Sequence, residues 1–166
     1  MLKKILVIAA VALALPVIAA AQKFGVVDVN AIFTAMPETT AAQTQLQEAS
    51  KKYEGEFTKL QEEVNKKIQE YQALAADTPD AIKERRQQEI QELGQKVDTF
   101  RNTASQDLER QQQQLMAPIQ QKLSDAIKAV GQEGAYTFIF ENGIPIFVGA
   151  DVTDVTTAVK AKLGLK

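Results

Sequence analysis

Residues 46–75 read LQEASKKYEGEFTKLQEEVNKKIQEYQALA, and the spacing of their apolar side chains decides the fold. Leu46, Ala49, Tyr53, Phe57, Leu60, Val64, Ile68, Tyr71 and Ala75 follow one another at steps of three and four. The cycle closes after eleven residues and lays Leu46, Phe57 and Ile68 over one another. That is about 3.67 residues per turn, so the stripe runs almost straight along a helix, without the left-handed drift of a heptad zipper. A stripe this thin cannot close a core alone, but it can cover a second one. The second follows at Ile82, Ile90, Leu93, Val97, Phe100, Ala104, Leu108, Leu115, Ile119, Leu123, Ile127 and Val130. Between the two lies Asp77-Thr78-Pro79-Asp80. Here Thr78 suits a helix cap, Pro79 the first helical position, and Asp80 the positive end of the helix dipole.

The expectation is an antiparallel helical hairpin over residues 38–130, with residue numbers facing each other adding to roughly 155. At about 1.5 Å per residue the longer arm reaches about 75–80 Å, well beyond a compact domain of this length. Pro118 falls level with the start of the first arm. A proline inside a helix removes a backbone hydrogen bond, so Pro118 is the expected hinge at the neck of the arm.

Upstream, residues 1–21 read as a signal peptide. Lys3 and Lys4 precede an apolar run from Ile5 to Leu15, then Pro16 and the small-residue end Ala19-Ala20-Ala21, with cleavage expected before Gln22. This points to bacterial export into the periplasm. The chain has no cysteine, which leaves no lipid-attachment site and no disulfide. The leader holds two of the 19 basic residues against 21 acidic ones, so the cleaved chain carries a net charge near −4. That balance, well mixed along the arms, argues against nucleic acid and gives no support to peripheral contact with an anionic membrane. The cluster Lys83, Arg85 and Arg86 is offset by Glu84 and Glu89 and reads as a solvated face, as does the run Gln111 to Gln114.

The remaining segments, 22–37 and 131–166, form a small β-rich body. Lys23 to Val29 reads as a strand, Asn30 to Ala35 as a turn of helix, and Met36-Pro37-Glu38 as a break. Thr40 with Gln43 fits a capping box at the start of the first arm. After Gly131 and Gly134, Tyr136 to Glu141 reads as a strand. Asn142-Gly143 reads as a type I′ turn, and Ile144 to Val148 as the returning strand of a β-hairpin. Thr153 is the expected cap of a last helix lined by Val155, Val159 and Leu163 and closed by Gly164.

These strands are apolar on both faces, so both need cover. Three strands cannot close a barrel, and a body of about 52 residues is marginal alone. The economical answer is a homo-oligomer with a shared core drawn from Phe24, Val26, Phe138, Phe140, Ile146 and Phe147. Composition does not fix the number of subunits.

The chemistry of the chain is sparse. It has no histidine, cysteine or tryptophan, which removes histidine acid–base catalysis, cysteine nucleophiles, most zinc sites and the usual triads. Glu62, Glu63, Asp107 and Glu109 read as solvated helix carboxylates, and Asp28 as a strand-end or capping one. Gly131-Gln-Glu-Gly134 lacks the Lys-Ser/Thr of a phosphate loop. No catalytic residue, metal site or cofactor is expected, and no enzyme. Surface and shape remain. Tyr53, Phe57, Tyr71 and Phe100 lie on the inward stripes and protrude where the facing stripe offers only alanine, as at Ala49, Ala75 and Ala104. They are the candidate contacts of the arms with a large partner.

In this order (leader, strand, Asn-Ala-Ile-Phe segment, Met-Pro-Glu, long helical hairpin, β-hairpin, final helix) the chain resembles the Skp/OmpH family of periplasmic chaperones. The most specific pieces are Phe24-Gly-Val-Val-Asp-Val-Asn30, Met36-Pro-Glu38 and the tail from Asp154 to Gly164. The resemblance covers essentially the whole chain. It implies an α+β trimer in which three bodies share a β-barrel and three hairpins hang from it as tentacles around a cavity. There, unfolded outer-membrane proteins are held without ATP until they reach the outer membrane. One departure is the charge: family members are strongly basic and this chain is mildly acidic, so no lipopolysaccharide site is carried over. The competing reading is an exported coiled-coil spacer or envelope-tethering protein. Thin stripes, alanine gaps and Pro118 favour bendable arms, and therefore a holdase.

Overall fold

A computed structural model describes residues 22–165; the expected signal peptide lies outside them. In chain order the elements are β1 (Phe24–Val27), α1 (Val29–Ala35), α2 (Pro37–Gln72), α3 (Asp80–Glu133), β2 (Phe138–Glu141), β3 (Thr153–Asp154) and α4 (Thr156–Lys162). The long hairpin is α2 and α3, of 36 and 54 residues, or about 54 and 81 Å at 1.5 Å per residue.

Both ends of the arms differ in detail from expectation. Met36 joins α1 to α2: its N–H closes α1 on the Ile32 carbonyl, and Pro37 then opens α2. The Thr40–Gln43 box is not used, because Pro37 has no N–H to satisfy and already carries the helical φ. At the tip, Pro79 is the cap residue of α3 rather than its first helical residue, and Thr78 makes no capping bond. Lys83 Nζ instead donates to the Ala76 carbonyl at 3.2 Å. Cross-arm partners such as Tyr53 and Phe100, Lys67 and Glu89, and Glu38 and Lys122 fall within about a turn of the expected register. Helix α3 continues through Pro118, which sits on its exposed side.

The sheet departs most from expectation. Its order is β2-β1-β3 and both pairings are parallel, Phe24 facing Phe138 and Gly25 facing Thr153. The antiparallel hairpin does not form. Ile144 N–H does close a turn on the Glu141 carbonyl at 3.2 Å, but φ is positive only at Gly143 (+93°), not at Asn142. A type I′ turn needs both; this geometry is type II, whose twist splays flanking strands. Ile144 to Val148 therefore lie in no strand. Thr153, expected as a cap, is the first residue of β3, and the Asp154 carboxylate accepts from Thr156 N–H at 2.8 Å at the start of α4. Gly164, with φ of +73°, closes that helix as expected.

One face of the sheet is covered. Val27 and Ile139 point into a core with Ile32 and Met36, Ala42 of α2, Ile119, Leu123, Ala126 and Val130 of α3, and Val155 and Val159. A boundary at residues 130/131 therefore cuts through packed side chains: the last turns of α3 form a wall of the body. Gly25 leaves room for the Tyr136 ring, which a Cβ would approach to a tight 3.2 Å. Asp28 is structural, as its type and place imply. Its carboxylate caps α1 on Ala31 N–H at 2.7 Å, and its own N–H donates to Thr156 Oγ1 at 2.9 Å.

Candidate functional site

Two surfaces carry the unspent apolar chemistry. The first is the other face of the sheet. Alternation along β2 sends Ile139 to the core and Phe138 and Phe140 outward. Phe138 lies 6.3 Å from Phe24 with the rings nearly parallel, and 5.9 Å from Phe140. The result is an aromatic ladder across two strands, with Phe138 57 % exposed. Residues 144–152 curl over part of this face. With Phe24, Val26 and Phe140 they frame a crevice of about 210 Å³ lined by Ile144, Pro145, Phe147, Val148 and Val152. Val26 is buried beneath it, while Ile146 is fully exposed and Phe147 is 84 % exposed.

Of the six residues expected in a shared core, the fold thus gathers five around one open face, with Ile146 projecting from the same loop. Ile144, Val148 and Val152 belong to the surface as well and were not singled out; their apolar type beside the turn was the available signal. Parallel sheets are ordinarily covered on both faces, whereas this one is fully covered on only one.

The second surface lies between the arms. Tyr53 meets Phe100 edge-on at 6.0 Å, and its hydroxyl bonds the Asp107 carboxylate, which also takes Arg110 and Gln111. Beside this prop opens a cavity of about 460 Å³ lined by Ser50, Tyr53, Glu54, Phe57, Phe100, Arg101, Ala104, Ser105 and Leu108. Three of the four arm aromatics meet here. Tyr71 does not: nearer the tip, its hydroxyl accepts from Gln87 Nε2 at 2.7 Å. The small residues Ser50, Ala104 and Ser105 leave the space, and of these the sequence had drawn attention only to Ala104.

Charge on the arms is paired in part, most densely near the tip. The Arg86 guanidinium holds the Glu89 carboxyl below its ordinary pKa, and Glu89 in turn raises Arg86. Arg85 also reaches Glu89, at 3.2 Å, and Lys83 reaches Asp80 at 3.9 Å, so the basic cluster near the tip is neutralised locally. At the neck, the hydrogen bond from Lys122 lowers Glu38. Among the described residues there is no cluster of potential metal ligands, and no helix is long and apolar enough to cross a membrane.

These features agree with what comparison finds. A family model described as "Outer membrane protein (OmpH-like)" matches residues 23–163. A protein named "Chaperone protein Skp" from Pectobacterium atrosepticum is 25 % identical over 140 residues, covering 84 % of each chain.

Proposed function

We propose that this chain, which belongs to the OmpH-like outer membrane protein family, is an ATP-independent holdase of the bacterial periplasm that keeps unfolded outer-membrane proteins soluble. The observation that carries this reading is the pairing of a bare aromatic face at one end with long, thinly packed arms at the other. Phe24, Val26, Phe138, Phe140, Ile146 and Phe147 become the shared core of a homotrimer, three half-covered sheets completing one β-barrel. The chain itself then comprises a signal peptide, an oligomerisation body and a hairpin arm. Three arms descend from the barrel and enclose the client, and the apolar stretches of Tyr53, Phe57, Tyr71 and Phe100 offer it many weak contacts. The 25 % identical relative bears the name of a chaperone, which supports the same reading. Pro118, at the level of the neck, sets how far each arm splays.

The decisive experiment uses purified mature protein and a urea-denatured outer-membrane barrel protein diluted out of denaturant. The expected result is that light scattering is suppressed at about one trimer per client, without nucleotide. Suppression should persist from low to high salt, because the mildly acidic, mixed-charge arms give little long-range attraction to lose. Aggregation at the same rate with and without the protein would refute the proposal and leave a structural spacer as the better account.

A further inference from the structure

We infer that the cavity between Tyr53 and Phe100 is a socket for an aromatic side chain on an extended polypeptide, with Arg101 and Glu54 at its rim holding the main chain. The inference rests on the holdase reading and names the feature of the client that one arm recognises.

Three observations lead to it. The first is that the cavity's aromatic wall is fixed in place. Tyr53 meets Phe100 edge-on across the arms, and its hydroxyl is held by Asp107, itself bonded to Arg110 and Gln111. The second is size and lining. About 460 Å³ lies within the range of pockets that take small organic groups, and the walls are Tyr53, Phe57, Phe100, Ala104 and Leu108. Aromatic walls favour an aromatic guest, whose positive ring edge meets their negative faces.

The third observation is the rim. Among the described residues Arg101 has no acidic partner, and neither do the nearby Lys51, Lys52 and Lys96, so this stretch of the arms carries unspent cationic charge. Glu54 is engaged only by the Ser50 hydroxyl, at 3.3 Å. One rim group can therefore only donate and the other can only accept. A polypeptide main chain offers a C=O and an N–H at every residue. The complement of this rim is thus an extended backbone of any sequence, with its aromatic side chain turned into the socket. Strands of outer-membrane barrels are rich in such residues at both membrane interfaces.

The chain contains no tryptophan, so a tryptophan in a peptide reports its own surroundings without background. The probe is an end-blocked pentapeptide, Gly-Ser-Trp-Ser-Gly, titrated with the mature full-length protein. The expected result is a saturable blue shift of its emission. Affinity should fall at least tenfold in Ala104→Leu, which fills the socket, and several-fold in Arg101→Gln and Glu54→Gln. A parallel peptide carrying leucine in place of tryptophan should compete at least tenfold more weakly than one carrying phenylalanine. Should Ala104→Leu lose helix content by circular dichroism, Ser105→Leu fills the same space from the exposed side.

Absence of a saturable shift, or equal binding to the wild type and both filled variants, overturns the socket. Suppression of aggregation by the wild-type protein would then still stand as holdase activity. Conversely, a protein that binds the peptide as described but does not protect a denatured barrel protein keeps its socket and loses the holdase.

Discussion

The body and the arms handle apolar surface in opposite ways. In the body, ten residues from β1, the four helices and the joints at Met36 and Val155 bury one another on a single side of the sheet, and an aromatic ladder is left over on the other side. Along the arms beyond the neck only Leu60 and Ala104 are buried, although the hairpin is several times longer. The body thus has more apolar surface than it can cover; the arms have barely enough to stay together. An excess concentrated on one face suits a single well-fitting partner, which in the proposed assembly is a second copy of the chain. A deficit spread along a bendable rod suits many weak and changeable contacts.

The strongest way to break this contrast is Phe147→Asp, with Phe138→Asp as its companion. In a lone chain both positions are largely exposed, so the substitution should leave the fold nearly untouched. In a shared core it buries an unpaired charge at a cost of several kcal/mol. The expected outcome is loss of the trimer, read by sedimentation at micromolar concentration. A variant that assembles as the wild type does would mean the aromatic face is simply surface.

Next in size is a matched pair of truncations. Ile32 is completely buried in the body and Leu60 is 6 % exposed in the arm. Each loses about 2–5 kcal/mol of local packing on substitution by alanine. Ile32→Ala should lower the global melting temperature of the protein. Leu60→Ala should instead speed amide exchange along the middle of the arms while the body melts as before, because the two cores share no side chain at that level. If both variants shift every amide together, arm and body form one cooperative unit and the contrast fails.

The hairpin was legible in the sequence because a helix's contacts repeat: the stripe from Leu46 to Ala75 names its own period, and Pro79 marks the turn. Asp28 could be read for a similar reason, as a capping carboxylate bonds only three residues away. The sheet was not legible. Asn142-Gly143 does make a turn, but local chemistry fixes only that the chain reverses there. The partner of β2 is β1, more than a hundred residues earlier, and no local pattern encodes that choice. Likewise Phe57 and Phe100 were visible as aromatics on the stripes, whereas the cavity beside them depends on Ser50 and Ser105, which look like ordinary helix-surface residues until the two arms are set face to face.

A smaller effect is expected at Pro118, where the arm meets the body. Helix α3 runs through this proline, whose ring removes one backbone bond from an otherwise continuous ladder. Pro118→Ala restores the donor and should raise stability, by at most about 3 kcal/mol, without altering the proposed trimer. Distances between spin labels at Asp77 should then spread less widely, and the largest clients should bind more weakly. Unchanged label distances would place the flexibility of the arm elsewhere, Gly55 and Gly94 being the next candidates because a Cβ on either would touch nothing.

The smallest effect separates the arms from the body by pH. Glu89 is held below its ordinary pKa chiefly by its hydrogen bond to Arg86, with further help from Lys67 on the opposite arm and from Arg85. A carboxylate whose folded pKa is depressed contributes stability that is fully present above its unfolded pKa and is lost as the pH falls through the folded one. The pair is half-exposed and screened by solvent, so the contribution is small and confined to the outer half of the arm. Acidification from neutral pH through the carboxylate range should therefore loosen the arm around Lys67 and Glu89 while the buried core around Ile32 and Val159 holds. Amide protection corrected for intrinsic exchange, followed site by site, reads both regions in one sample. In Glu89→Gln the neutral-pH arm should already exchange as the acidified wild type does, and its further change with pH should be reduced. If wild type and variant lose arm protection in parallel over the same range, the acid response belongs to other carboxylates, and this ion pair has no part in holding the arms together.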